Sequence, residues 1–124
     1  MTEYSTELKN GWLALYTPTP QVRPGTDSAW TPLSSYTALT GGAWLRRIVS
    51  LEPANECVNY VLRITAPSGS LIIEVNGEGI FQGVSEGAPL EFDVTYHVSL
   101  GDNTITLWLT GAPQQISLCA VPCQ

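Results

Sequence analysis

The 124 residues, 44% of them apolar, suit one domain that buries about two-thirds of the surface its unfolded chain exposes. Five basic against eleven acidic residues give a formal net charge of −6, which repels phosphate backbones and anionic lipid and argues against nucleic-acid and membrane partners. Eleven glycines, nine prolines and only 13% charged residues favour many short strands and turns over long helices.

Residues 1 to 10, MTEYSTELKN, are polar and read as an N-terminal arm or a short edge strand; residues 11 to 124 read as a single domain. This start has neither the basic residues nor the apolar stretch of a secretion signal, and no apolar run reaches the ~18 residues of a membrane span. The expectation is a soluble chain without a signal peptide. Gly11 to Tyr16 is the first apolar run, short enough for a strand. Thr17 to Ser28 contains Pro18, Pro20 and the turn-forming pair Pro24-Gly25, so it reads as a surface loop. Trp30 to Leu33 returns to the core, and Ser34 to Gly42 forms a second loop. Long loops near the start are places where a binding surface can vary without disturbing the core.

From Ala43 to Leu51 the side chains Leu45, Val49 and Leu51 share one face, and Trp44, Arg46 and Ile48 the other. That mixture suits a strand covered on both sides, with one arginine reaching outward. Glu52 to Glu56 is a turn. Val58, Tyr60, Leu62 and Ile64 then alternate with Asn59, Val61, Arg63 and Thr65, and Leu71, Ile73 and Val75 form the next core row. Asn76-Gly77 is the strongest two-residue hairpin signal, and it leads into the glycine-bearing stretch Glu78 to Gly83, which suggests a bulged strand. Pro89 to Thr110 reads as a central hairpin. Leu90, Phe92, Val94 and Tyr96 line one strand, Ile105, Leu107 and Leu109 the other, and Leu100 to Asn103 makes the tight connection. Ile116, Leu118 and Ala120 close the chain facing inward. The pattern gives about eight or nine strands and no sustained helical period, which predicts an all-β, two-sheet jelly-roll sandwich.

In order along the chain stand Trp30 near a loop, Gly42-Ala43-Trp44-Leu45-Arg46-Arg47, Val75-Asn76-Gly77, Phe92-Asp93-Val94-Thr95 and Gly101-Asp102-Asn103-Thr104-Ile105. Over residues 11 to 110 this series resembles the N-terminal, sugar-binding jelly-roll domain of family 2 glycoside hydrolases such as β-galactosidases and β-glucuronidases. The resemblance implies a galactose-binding-domain-like fold. In that family the catalytic carboxylates belong to a separate barrel domain for which 124 residues have no room, so the resemblance also implies a non-catalytic role in binding or scaffolding.

The residues give little support to an enzyme. Ser-His-Asp or Cys-His chemistry needs an imidazole, and the one histidine, His97, stands at a strand end where a surface role suits it. Glu91 and Asp93 share a strand face, but a solvated pair is the simpler reading than a glycosidase dyad. No phosphate loop, zinc-protease or calcium-loop pattern occurs, and no cofactor is expected. Cys57, Cys119 and Cys123 read as reduced thiols; a Cys119–Cys123 bridge, or one from Cys57 to either, is the alternative. A metal site is disfavoured, because Cys-x3-Cys with one remote cysteine lacks a fourth ligand.

Sugar rings stack on flat aromatic faces, which makes the four tryptophans informative. Trp30 and Trp44, beside the long loops, are candidate ligand contacts. Trp108 points away from the apolar row of its own strand, either toward a ligand or to pack against Arg63 or Ile72. Arg46 or Arg47 can donate to hydroxyls or a carboxylate, or pair with Glu52 or Glu56. The predicted ligand-binding set is therefore Trp30, Trp44, Arg46 and Trp108. Two readings follow: a non-catalytic carbohydrate-binding or adhesion module, or a building block of an assembly, such as a virion decoration protein or an extracellular subunit, that forms oligomers or docks on a partner through exposed apolar contacts.

Overall fold

The computed structural model describes residues 3–25 and 28–123; positions 1, 2, 26, 27 and 124, which fall in the expected arm, the proline-rich loop and the C-terminus, lie outside that description. Ten strands form two antiparallel sheets: β1 (Tyr4–Glu7), β2 (Leu13–Tyr16), β3 (Thr31–Pro32), β4 (Ala43–Leu51), β5 (Val58–Thr65), β6 (Gly69–Val75), β7 (Glu78–Ser85), β8 (Leu90–Asp93), β9 (Gly101–Leu109) and β10 (Gln115–Pro122). The four-stranded sheet has the order β1-β10-β5-β8, and the six-stranded sheet the order β3-β2-β4-β9-β6-β7. The all-β, two-sheet sandwich expected from the alternation is the fold observed.

Alternation builds the core. Leu45, Leu71, Ile73, Val75, Ile105, Leu107 and Leu109 from the larger sheet meet Leu62, Ile64, Ile116 and Leu118 from the smaller one in a single buried cluster. Each such side chain contributes about 1.5–3 kcal/mol by leaving water. Asn76 (φ 52°) and Gly77 (φ 81°) turn the β6–β7 hairpin in the left-handed conformation that such a turn requires. The expected bulge follows at once: Ile73 pairs with Phe81 and Glu74 with Gly79, so Ile80 is the extra residue.

The predicted β8–β9 hairpin does not form. β8 pairs with β5 at the edge of the smaller sheet, whereas β9 lies between β4 and β6 in the larger one. Asp93 ends β8, because its Oδ1 accepts from the backbone N–H of Thr95 (3.0 Å) and from the Thr95 hydroxyl (2.6 Å). The chain then crosses to the other sheet. Val94 is buried, but Tyr96, placed by alternation on the core face, is 94% exposed. β9 begins at Gly101, so Gly101 to Asn103 of the predicted Leu100–Asn103 turn belong to the strand.

Of the two readings of residues 1 to 10, the arm and the edge strand, the described part takes the second. Tyr4–Glu7 pair with β10 along Ala120 to Ser117, and Leu8 is fully buried. Trp30 does not return to the main core; Leu33 packs there instead. The loop at 34–42 contains a 3-10 turn, Tyr36–Ala38, whose Tyr36 ring is buried and whose hydroxyl donates to Glu7 Oε1 (2.6 Å) and the Gln114 carbonyl (3.3 Å). Cys57 and Cys123 form a disulfide, so the reduced-thiol reading holds only for buried Cys119. Register explains the pairing. Val58 lies opposite Pro122 in the β5–β10 ladder, which sets the flanking cysteines face to face with Cα atoms 5.4 Å apart.

Candidate functional site

The outer face of the six-stranded sheet carries the predicted site residues in cross-strand rows. One row joins Leu15, Trp44, Trp108 and Ile72; the next joins Leu13, Arg46, Thr106 and Glu74; a third pairs Ile48 with Thr104. Two-residue periodicity places Trp44, Arg46 and Ile48 together on this face, as it does Thr104, Thr106 and Trp108.

The tryptophan row is covered. Trp44 and Trp108 are 0% and 4% exposed and pack with Ile72, Leu15 and Trp30. The segment after β2 folds over them through three contacts. Trp44 Nε1–H donates to the Val22 carbonyl (2.8 Å), and Trp108 Nε1–H donates to Thr17 Oγ1 (2.9 Å). The Arg23 guanidinium stacks 4.7 Å from the Trp44 ring centroid and forms a two-pronged ion pair with Glu74 (2.8 and 3.0 Å). Gly42 admits the Trp108 ring, since a Cβ there would lie 2.9 Å from Trp108 Cζ2. Neither indole presents an open face to a ligand. Of the two packing partners considered for Trp108, Ile72 is the one observed; Arg63 belongs to the other sheet, bound to Glu3 and Glu91.

Below this row the face is open. Arg46, Ile48, Glu74, Asn76, Gly77, Thr104 and Thr106 line a shallow trough of about 630 Å³. Half-buried Trp30 adjoins the trough through Arg46, whose guanidinium carbon lies 4.4 Å from the ring centroid. Arg46 Nε is buried without an acceptor among the described residues. Thus the four predicted residues are brought together, with Trp44 and Trp108 under a loop, Trp30 packed beside them and Arg46 lining the trough.

Sequence reading missed Arg23 and Glu74, which meet across 51 positions. Nothing in the local pattern of either residue announces that contact. It also took Asn103 for a turn residue. Asn103 is buried; its Nδ2 donates to the carbonyls of Ser99 (2.8 Å) and Gly101 (3.0 Å), and its Oδ1 accepts from Ser99 N–H and Asn76 Nδ2 (both 2.9 Å). This network holds the end of the trough in place.

Glu91, Asp93 and His97, considered for chemistry from the sequence, each have a partner. Glu91 pairs with Arg63, and the Thr95 hydrogen bonds hold the Asp93 carboxyl below its ordinary range. His97 Nδ1 lies 3.4 Å from Glu78 Oε1 at the surface. Among the described residues no group of three His, Cys, Asp or Glu side chains is placed to hold a metal ion. No helix is long and apolar enough to cross a membrane.

No family model matches the chain, and no curated protein is similar to it in sequence. Solved structures share its fold. An uncultured Clostridium β-glucuronidase superposes with a TM-score of 0.76 at 17% identity, over 97% of this chain and 29% of that protein. A Bacteroides uniformis β-glucuronidase gives 0.77 at 17%, over 98% and 18%. A glycosyl hydrolase family 2 member from Bacteroides cellulosilyticus gives 0.72 at 13%, over 95% and 20%. The chain therefore spans less than a third of the length of each of these proteins. It has the β-sandwich architecture of one domain found within them.

Proposed function

We propose that this domain is a non-catalytic carbohydrate-recognition module whose working surface is the open trough on the six-stranded sheet. The observation that carries this reading is the Trp30–Arg46 contact beside the trough: an aromatic ring and a guanidinium adjoining the hydroxyls of Thr104 and Thr106 and the carboxylate of Glu74. Saccharides are recognised by that combination of an apolar flat surface and a few convergent polar groups. The neighbours named β-glucuronidases and glycosyl hydrolases lend support from a carbohydrate context. A non-catalytic role fits the fully engaged Glu91, Asp93 and Arg63, which serve as surface ties.

A glycan array followed by titration tests the proposal. Binding should appear in the wild type and fall at least about tenfold in Trp30→Ala, in the range expected for losing an aromatic contact and the guanidinium it orients. A silent array, or binding indifferent to Trp30→Ala and Thr106→Val, would refute it. The assembly reading, in which the sandwich is a building block of a virion or extracellular particle, draws on one observation: Ile48 (59% exposed) and Leu13 sit on the same outer face. It requires a symmetric oligomer by light scattering that Ile48→Glu dissociates.

A further inference from the structure

We propose that the notch between Arg46 and Arg47, where β2 begins, binds a carboxylate, and that the module's ligand is an acidic saccharide. The inference rests on the carbohydrate reading above and assigns its chemical class.

The first observation is the distribution of charge. Arg23 is paired with Glu74, and Arg63 with Glu3 and Glu91. Arg46 and Arg47 stand side by side with no side-chain hydrogen bond or ion pair among the described residues, in a chain that carries eleven acidic groups. Two adjacent cations without partners among the described residues leave a local positive site in a chain of net charge −6.

The second observation is that both arginines border the same space. Successive strand side chains point to opposite faces. However, β2 pairs only with Ala43 to Arg46, so from Arg47 onward β4 has no strand on that side. The uncovered edge opens a cavity of about 360 Å³ lined by Gly11, Leu13, Arg46, Arg47 and Ile48. Gly11 (φ +82°) makes room for Arg47, because a Cβ there would lie 2.9 Å from Arg47 Nε.

The third observation is unmet hydrogen-bonding capacity. Among the described residues neither guanidinium has an acceptor; the Arg46 guanidinium carbon lies 4.4 Å from the Trp30 ring centroid, and its Nε is buried, which leaves the terminal nitrogens to face a ligand. Partial burial also disfavours the charge of Arg47 and pulls its pKa below the ordinary arginine value. An anionic oxygen pair would accept from the accessible nitrogens of both arginines, since a forked guanidinium matches the geometry of a carboxylate.

The saccharide class follows from what adjoins the notch. Arg46 and Ile48 line both the notch and the trough, so a carboxylate between the arginines would place the rest of its molecule against Thr104, Thr106, Asn76 and Glu74. Those groups suit hydroxyls. Glu74 and the net charge of −6 repel a polyanionic peptide, whereas a ring bearing a single carboxylate presents hydroxyls to the same surface.

The test is an array of uronic-acid and sialylated glycans printed beside their methyl-esterified and neutral counterparts, with a glutamate-rich peptide as a second anion. Titration of the best acidic glycan against wild type, Arg46→Ala, Arg47→Ala and Arg46→Lys follows. The acidic forms should bind and their esters should bind about tenfold or more weakly, the loss expected of a charge-assisted hydrogen bond. Each alanine variant should lose a comparable factor while its thermal unfolding stays at the wild-type temperature, and Arg46→Lys should recover part of the loss. Equal binding of acid and ester, or acid binding that survives both alanine variants, overturns the carboxylate site and leaves the carbohydrate reading intact. Equal binding of the glutamate peptide overturns the saccharide assignment. An array on which no glycan binds sinks both readings.

Discussion

Tyr36 joins three distant parts of the chain, since its ring is buried in the core while its hydroxyl bonds Glu7 on β1 and the Gln114 carbonyl before β10. Tyr36→Phe removes both bonds and should cost about 1–2 kcal/mol, read as a lower midpoint in urea. Burial and the neighbouring Glu7 push the phenol up to about 12 from the ordinary value of 10. The raised value means that the neutral phenol's contribution is fully present below pH 10 and is lost as pH climbs from 10 toward 12. The gap between wild type and Tyr36→Phe should therefore narrow across that interval; a gap that stays constant would show that the hydroxyl does not titrate as described. Asn103→Ala is the harsher change. It removes the buried amide that bonds the Ser99 and Gly101 carbonyls and the Ser99 N–H, and should cost about 1–3 kcal/mol in thermal or urea unfolding.

Strands announced themselves where burial follows alternation. β4 and β5 occupy the predicted stretches Ala43–Leu51 and Val58–Thr65, and the rows Leu71-Ile73-Val75 and Ile105-Leu107-Leu109 face the core as expected. Alternation says which face a residue takes, however, and not which strand lies beside it. β8 and β9 therefore looked like a hairpin, because a short gap between two periodic runs carries no sign that the chain changes sheet. The candidate site was legible to the same degree. Periodicity put Trp44 and Arg46 on one face of β4 and turned Trp108 away from the apolar row of its strand, whereas the joining of those faces depends on strand pairing and their cover by Thr17, Val22 and Arg23 on contacts across 22 to 91 positions. The fit between the β4 entrance and that cover is close at Gly42. Gly42→Ala would push on the Trp108 ring and the Thr17 carbonyl, so it should cost about 1–3 kcal/mol and alter the near-UV circular dichroism of the tryptophans. An unchanged spectrum and midpoint would mean that the cover yields freely.

At the scale of the whole molecule, the Cys57–Cys123 bridge closes a segment of 66 positions. A loop of that size reduces the freedom of the unfolded chain by about 4 kcal/mol in the chain-entropy model, and native bridges commonly deliver 2–4. Reduction of wild type, or Cys57→Ser, should lower the urea midpoint accordingly, and the serine variant should no longer respond to reductant. Identical midpoints with and without reductant would exclude the bridge. β1 and β10 lie side by side, with Tyr4 opposite Ala120, so the two ends of the described chain emerge from one corner of the four-stranded sheet. The trough and the arginine notch occupy the opposite sheet. Polypeptide added at either end, whether a tag, a bead linker or a second folded unit, leaves from the back of the molecule, and immobilisation by that corner presents the trough and the notch outward.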